Sequence, residues 1–169
     1  LISMKYEFIN ELNDNLINQF ATLVNNVIKK THSIGFIDGL DYNSAKEFLE
    51  EFLNEEKSAI LFVFDSINLI GAGCVSGSGY LSTQHYAKIS KVMVSPESQT
   101  KGIGKMIMTK LEDKTKELGF SHILVQSWDI DYIVNFYKKC GYLVCGVRPE
   151  FVKYKDKYYD SYSFYKKLI

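Results

Sequence analysis

The feature that most constrains this chain is a change of hydrophobic period after residue 58. Upstream, Leu16, Ile17, Phe20, Leu23, Val24, Val27 and Ile28 recur every three to four residues behind Asp14, the spacing of a helix with one buried face. Phe48, Leu49, Phe52 and Leu53 repeat that spacing in a second helix, for which Asn43 or Ser44 offers an N-terminal cap. Residues 59–64 and 69–76 then run apolar without helical spacing, parted by Asp65-Ser66-Ile67-Asn68, whose turn chemistry predicts a hairpin. Extended runs set among amphipathic helices require helices laid on a sheet, so the class is α/β.

The remaining punctuation fits that class. Residues 5–9 read as a short opening strand, and residues 31–42 as an irregular stretch broken by Gly35 and Gly39. Gly77-Ser78-Gly79 marks a loop, and residues 88–95 form a further strand that Pro96 ends. Ile103, Met106, Ile107, Leu111 and Leu118 lie on one helical stripe, stopped by Gly119. Residues 122–128 are a strand, and a short helix from Asp131 turns Ile133, Val134 and Tyr137 inward before Gly141. Residues 142–147 and 158–166 close the chain as strands. With no linker or repeat, residues 1–169 read as one domain, Leu1 to Ser3 as a remnant ahead of a native Met4.

Composition narrows the function classes. Acidic and basic side chains number 20 each, so the chain lacks the net positive field of a nucleic-acid binder, although a basic pocket survives in a neutral total. No apolar run approaches the roughly 20 residues needed to cross a bilayer, so no membrane span is expected. No basic segment leads into an apolar one at the N-terminus, so no secretory signal is expected either. Cys74, Cys140 and Cys145 form no CxxC pair and read as reduced, mostly buried thiols of a cytoplasmic protein. No metal is expected.

Two motifs carry chemistry. In the first, "ESQTKGIGKM" (residues 97–106), a strand feeds a helix whose first turn holds Gly102 and Gly104. The first N–H groups of a helix lack internal partners and carry partial positive charge, so such a turn is either a tight strand-to-helix connection or a phosphate cradle. The P-loop spacing is absent, because Met106 follows Gly104-Lys105 where a hydroxyl is needed. A dinucleotide fingerprint fails too, since Ile107 stands where its third glycine belongs. Gly71 and Gly73 sit within a strand pattern and read as close backbone packing. The second motif is Phe136-Tyr137-Lys138-Lys139-Cys140-Gly141-Tyr142. Its inward Tyr137 is either a core aromatic whose hydroxyl finds a backbone partner or a general acid in a cleft.

Together these motifs resemble those of the GNAT superfamily of acyl-CoA-dependent N-acetyltransferases. Gln99, Gly102 and Gly104 match Q/R-x-x-G-x-G/A, and Phe136, Tyr137, Lys139, Gly141 and Tyr142 match F-Y-x-K-x-G-F/Y. The order of strands and helices over nearly the whole chain is similar as well. So is the tail from Gly146-Val147-Arg148-Pro149 to Tyr158-Tyr159-Asp160, which looks like the closing strands of bacterial members.

The resemblance implies an α/β (α+β) fold: a mixed, mostly antiparallel central sheet of six to seven strands flanked by about four helices. A parallel pair would splay at the cofactor cleft, with the distortion at Ser95-Pro96. Acetyl-CoA would be the co-substrate, and the acetyl group would pass directly to a primary amine of a small molecule or peptide. Backbone N–H groups from Thr100, Lys101, Gly102, Ile103, Gly104 and Lys105 would hold the pyrophosphate beside Gln99, with the charges of Lys101 and Lys105 helping. Val92, Met93 and Val94 would pair with the pantetheine arm, and the Val94 N–H would serve the developing oxyanion. Tyr137 would protonate the departing sulfur; a phenol near pKa 10 faces a thiolate whose acid lies near 8.5.

The chain departs from the family pattern in two places. Ile130 stands where an asparagine is frequent, so that contact falls to Asp129, Asp131 or Asn135. No glutamate lies in residues 88–95, which leaves His85, Asp129, Glu150 or a water relay as the base. The acceptor side implicates residues 35–42, residues 77–86, Trp128 and a loop at residues 151–157. Tyr42, Tyr80, Trp128 and Tyr154 either embrace a cationic amine or pack ordinarily, with His85 and Glu150 as further substrate contacts. Exposed C-terminal edge strands invite a homodimer. A non-catalytic acyl-CoA sensor or interaction module of the same fold is the alternative.

Overall fold

The computed structural model of the protein describes residues 4–30, 34–36, 38–128 and 130–169. The readings placed on Leu1 to Ser3, Thr31 and Asp129 lie outside the described residues. Among the described residues seven strands and four α-helices follow the expected alternation: β1 (Met4–Ile9), α1 (Asp14–Ile28), α2 (Tyr42–Asn54), β2 (Ala59–Asp65), β3 (Asn68–Gly77), β4 (Tyr86–Val94), α3 (Ile103–Glu117), β5 (His122–Trp128), α4 (Asp131–Lys139), β6 (Leu143–Tyr154) and β7 (Lys157–Lys167). The strands join in one sheet, ordered β1-β2-β3-β4-β5-β7-β6. Every neighbouring pair is antiparallel except β4 and β5.

Period two along β2 explains its continuous apolar run. Ile60 and Phe62 enter a core with α1 and α2, while Leu61 and Val63 enter a second core with α3 and α4 on the opposite face. In the first core the Phe20 ring stacks on Phe48 and Phe62, each at 5.8 Å between centroids. Burying such a side chain contributes about 1.5–3 kcal/mol. In the second core α3 lies close on β3 because Gly71 and Gly73 present no side chain. A Cβ on Gly73 would stand 2.7 Å from Leu111 Cδ1 and 2.9 Å from Ile107 Cγ2. Close backbone packing, as expected from the sequence, accounts for both glycines.

Several local features differ from expectation. The cap of α2 is Asp41, not Asn43 or Ser44. Its Oδ1 accepts from the Ser44 N–H at 2.7 Å, and Ser44 Oγ accepts from the Asp41 N–H at 3.0 Å, a reciprocal capping box. β6 runs on to Tyr154, through Pro149, and a register shift between Arg148 and Val152 absorbs the missing donor. The segment expected as a loop at residues 151–157 is therefore the tip of a β-hairpin. The strand distortion lies at Lys91 rather than Ser95-Pro96: Met93 pairs with Ala72 but Ser90 with Cys74, so β4 carries one extra residue, and Lys91 takes φ +56°. The Ser95 N–H still donates to the Ile70 carbonyl at 2.7 Å, so the ladder is regular there. Only Cys74 of the three free thiols is buried, and burial pushes it up to about 12; Cys145 is exposed. Among the described residues no helix is long and apolar enough to cross a membrane.

Candidate active site

β4 and β5 are registered over only three residue pairs, Tyr86 with His122, Ala87 with Ile123 and Lys88 with Leu124. Beyond them the strands part, and the gap opens into a cleft of about 670 Å³. Val92, Met93 and Val94 line one wall; Val125 to Trp128 line the other. The Ser95 N–H bonds to β3, so strand alternation turns the N–H and carbonyl of Val94 the other way, toward the cleft. Gln99 Nε2 donates to the Val94 carbonyl at 3.1 Å, which ties the following loop to the end of the strand.

The two glycines of the turn act for different reasons. Gly102 caps α3 at φ +77° with nothing near its Cβ position, so its role is conformational. The next residues open the helix: the first internal bond across this cap runs from the Met106 N–H to the Gly102 carbonyl at 3.1 Å. The N–H groups of Ile103, Gly104 and Lys105 are thus left to meet a ligand, with the helix dipole behind them. Gly104 is constrained by packing instead, since a Cβ there would approach Phe136 Cε2 to 3.3 Å.

Tyr137 sits at the floor of the cleft on α4, 8% exposed, with ring contacts to Phe136, Tyr142 and Phe164. Among the described residues no group hydrogen-bonds its hydroxyl, so the core-aromatic reading with a backbone partner is not met. Desolvation, reinforced by Cys140, pushes the phenol well above its ordinary pKa. The end of α4 is fixed from below. Lys166 Nζ donates to both Glu112 oxygens at 3.0 and 3.1 Å and to the Cys140 carbonyl at 3.0 Å, and Tyr142 Oη donates to Glu112 at 3.1 Å.

Of the residues singled out from the sequence, Val92, Met93, Val94, Gln99, Thr100, Gly102, Ile103, Gly104, Lys105, Trp128 and Tyr137 line this one cleft. Lys101 and Asn135 are exposed and lie outside its lining. Of the expected acceptor segments, Gly35, Phe151 and Val152 also line the cleft, whereas four single candidates lie outside its lining. Tyr42 donates to Asp14 at 2.6 Å at the start of α2. Tyr80 is 74% exposed beside a second depression with Ser78 and Thr83. His85 packs on Tyr86 and His122 at the paired end of β4, away from the gap. On β6 the Glu150 N–H donates to the Asp160 carboxylate of β7, and the Glu150 side chain is outside the lining. The Trp128 ring packs on Tyr159 and Tyr154, at 5.5 and 5.9 Å. Two lysines on β4, Lys88 and Lys91, were not singled out and do line the cleft. The signal for Lys91 was present: a charge set directly before the apolar run Val92-Met93-Val94 in a strand that enters the sheet.

A mixed sheet that parts at its one parallel pair, beside a glycine-opened helix, is the fold of known acetyltransferases. A GNAT-family acetyltransferase of Streptococcus pneumoniae is 15% identical, superposes with a TM-score of 0.82 and covers 99% of this chain and 100% of its own. The yncA protein of Salmonella typhimurium, solved with its cofactor acetyl-CoA, is 15% identical at TM-score 0.83, covering 98% of this chain and 94% of its own. An N-acetyltransferase of Staphylococcus aureus Mu50 is 12% identical at TM-score 0.85, covering 99% of each chain. Among curated proteins no sequence matches. The profile of the acetyltransferase (GNAT) family matches residues 25–142, and the chain belongs to that family.

Proposed function

We propose that the protein is an N-acetyltransferase that moves the acetyl group of acetyl-CoA directly to a primary amine. The observation that carries this reading is the parted β4–β5 pair, which sets free main-chain groups, a helix N-terminus and a buried phenol around one cleft. The donor set fits acetyl-CoA. N–H groups at the start of α3, with Lys105 beside them, suit a pyrophosphate, and the inner edge of β4 suits the amides of an extended arm. The bound co-substrate supplies an activated acetyl thioester.

The chain's own residues then have distinct tasks. The Val94 N–H, turned into the gap, donates to the acyl oxygen as charge develops there. Tyr137 holds its proton across the working pH range and releases it to the departing sulfur, whose own affinity for protons rises in the same dry floor. Among the described residues no carboxylate or histidine lines the cleft, which supports a water relay for the proton of the attacking amine.

Calorimetry with acetyl-CoA, followed by a thiol-release assay across a broad amine panel, tests the reading. Binding with turnover that drops in Tyr137→Phe supports it. Binding without turnover for any amine favours the acyl-CoA sensor instead, and absence of binding removes both.

A further inference from the structure

Lys91 is built into its place at several points. It occupies the left-handed region, φ +56°, at the extra residue of the β4 bulge. Glycine or asparagine adopts that conformation with less strain, so the lysine side chain itself answers a need at this position. Its Nζ donates to the Ile34 carbonyl at 3.0 Å and stands 4.3 Å from the centre of the Phe36 ring. Gly35, at φ +79°, completes the wrap, because a Cβ there would stand 2.6 Å from Nζ. Such a cage fixes a cation at one spot.

The spot lies on the wall of the cleft, and the charges that the described residues bring to that lining have one sign. Among the described residues its ionisable lining includes Lys88, Lys91, Lys105 and Lys139 and no aspartate, glutamate or histidine. Lys105 and Lys139 stand by the start of α3 and the end of α4, whereas Lys88 and Lys91 stand on β4. None of the ion pairs among the described residues involves Lys91. Burial lowers its pKa, with Lys88 adding to that effect and Cys74 opposing it; an arriving anion would offset the burial. A desolvated positive wall repels a cationic acceptor and attracts one that carries an oxyanion.

Resting on the acetyltransfer reading above, we propose that Lys91 determines specificity for a primary amine bearing a neighbouring oxyanion, a carboxylate or a phosphonate. The acceptor class is then the amino acid and its phosphonate analogues, bound through Lys91 with the amine directed at the thioester.

Matched sets test this with acetyl-CoA and thiol release: each amino acid, its amide, its decarboxylated amine and its aminophosphonate. The wild-type protein is expected to favour the anionic members at least tenfold in kcat/KM, and the phosphonate arm shows which oxyanion fits better. In Lys91→Met the acid-to-amide ratio is expected to fall toward one through a rise in acceptor KM, with acetyl-CoA KM retained. Lys91→Arg, which keeps the charge, is expected to restore part of the ratio. Equal use of acid and amide by the wild-type protein overturns the proposal without any variant. So does a loss of kcat on acid and amide alike that Arg fails to rescue, the mark of a general base. Turnover of neutral amines alone removes this inference and leaves acetyltransfer standing; no turnover of any amine removes both.

Discussion

Gly104 and Phe136 meet face to face across the two motifs: a Cβ on the glycine would lie 3.3 and 3.4 Å from two carbons of the phenylalanine ring. The glycine turn and the Phe136-Tyr137 element are therefore one packed unit, although they lie about thirty residues apart in sequence. A methyl group at position 104 would require the Phe136 ring to give by a few tenths of an ångström, and Phe136 in turn contacts the Tyr137 ring beside it.

Gly104→Ala should push the Phe136 ring by a few tenths of an ångström and tilt the start of α3. Acetyl-CoA affinity is expected to fall, and Phe136→Leu in the same chain to recover part of it. Calorimetry on the double-mutant cycle should give a coupling of roughly 0.5–2 kcal/mol. Additive losses would show that the contact does not transmit to the binding turn.

The pH profile follows from the direction of the Tyr137 shift. Desolvation raises its pKa above the ordinary value of about 10, so the proton-donating form persists until pH rises through that higher value. The rate should climb as the acceptor amine loses its proton and then stay level to about pH 10. A descending limb near pH 9, present in the wild-type protein and absent from Tyr137→Phe, would contradict this placement.

Gly73→Ala places a methyl group 2.7 Å from Leu111 and 2.9 Å from Ile107 in a close-packed layer. Overpacking of this kind costs about 1–3 kcal/mol. For a chain of this size each kcal/mol lowers Tm by roughly 2–4 °C, which a thermal melt resolves. Gly102→Ala, with open space around its Cβ, should show strain at φ +77° but no such clash.

Lys166→Met removes three hydrogen bonds at once and leaves the Glu112 carboxylate, 16% exposed, with only the Tyr142 hydroxyl. A loss of roughly 1–3 kcal/mol is expected, discounted toward the lower end because Lys166 is 29% exposed. Adding Glu112→Leu should recover stability, since it removes the stranded charge. Further loss in the double variant would show that Glu112 matters through packing rather than charge.

Where local chemistry decided local structure, the sequence was an adequate guide. β5 spans residues 122–128 as expected, and Gly119 and Gly141 both follow helices at positive φ, +90° and +86°. The hairpin at Asp65-Ser66-Ile67-Asn68 closes with Asp65 opposite Asn68. β6 runs past the expected residues 142–147 and through Pro149; an edge strand can carry a proline on the side that needs no donor. The bulge at Lys91 had no local signature, since lysine seldom adopts the left-handed region and only register with β3 reveals it. Individual acceptor-side side chains were harder to place than their segments, from which Gly35, Trp128, Phe151 and Val152 line the cleft. Tyr42, Tyr80, His85 and Glu150 are polar or aromatic in the right segments, but the path of each segment is set by tertiary contacts such as the Asp14–Tyr42 bond.

The three-pair seam between β4 and β5 has a consequence for how the chain survives among other proteins. Free main-chain groups ordinarily occur at the rim of a sheet, where any passing strand can pair with them and begin aggregation. Here β4 offers them from the middle of the sheet, with β3 on one side and β5 across the gap. The gap filters by thickness: a narrow, extended molecule reaches the strand, and a second folded chain does not. The protein thus keeps an adhesive edge in a place that crowding cannot exploit.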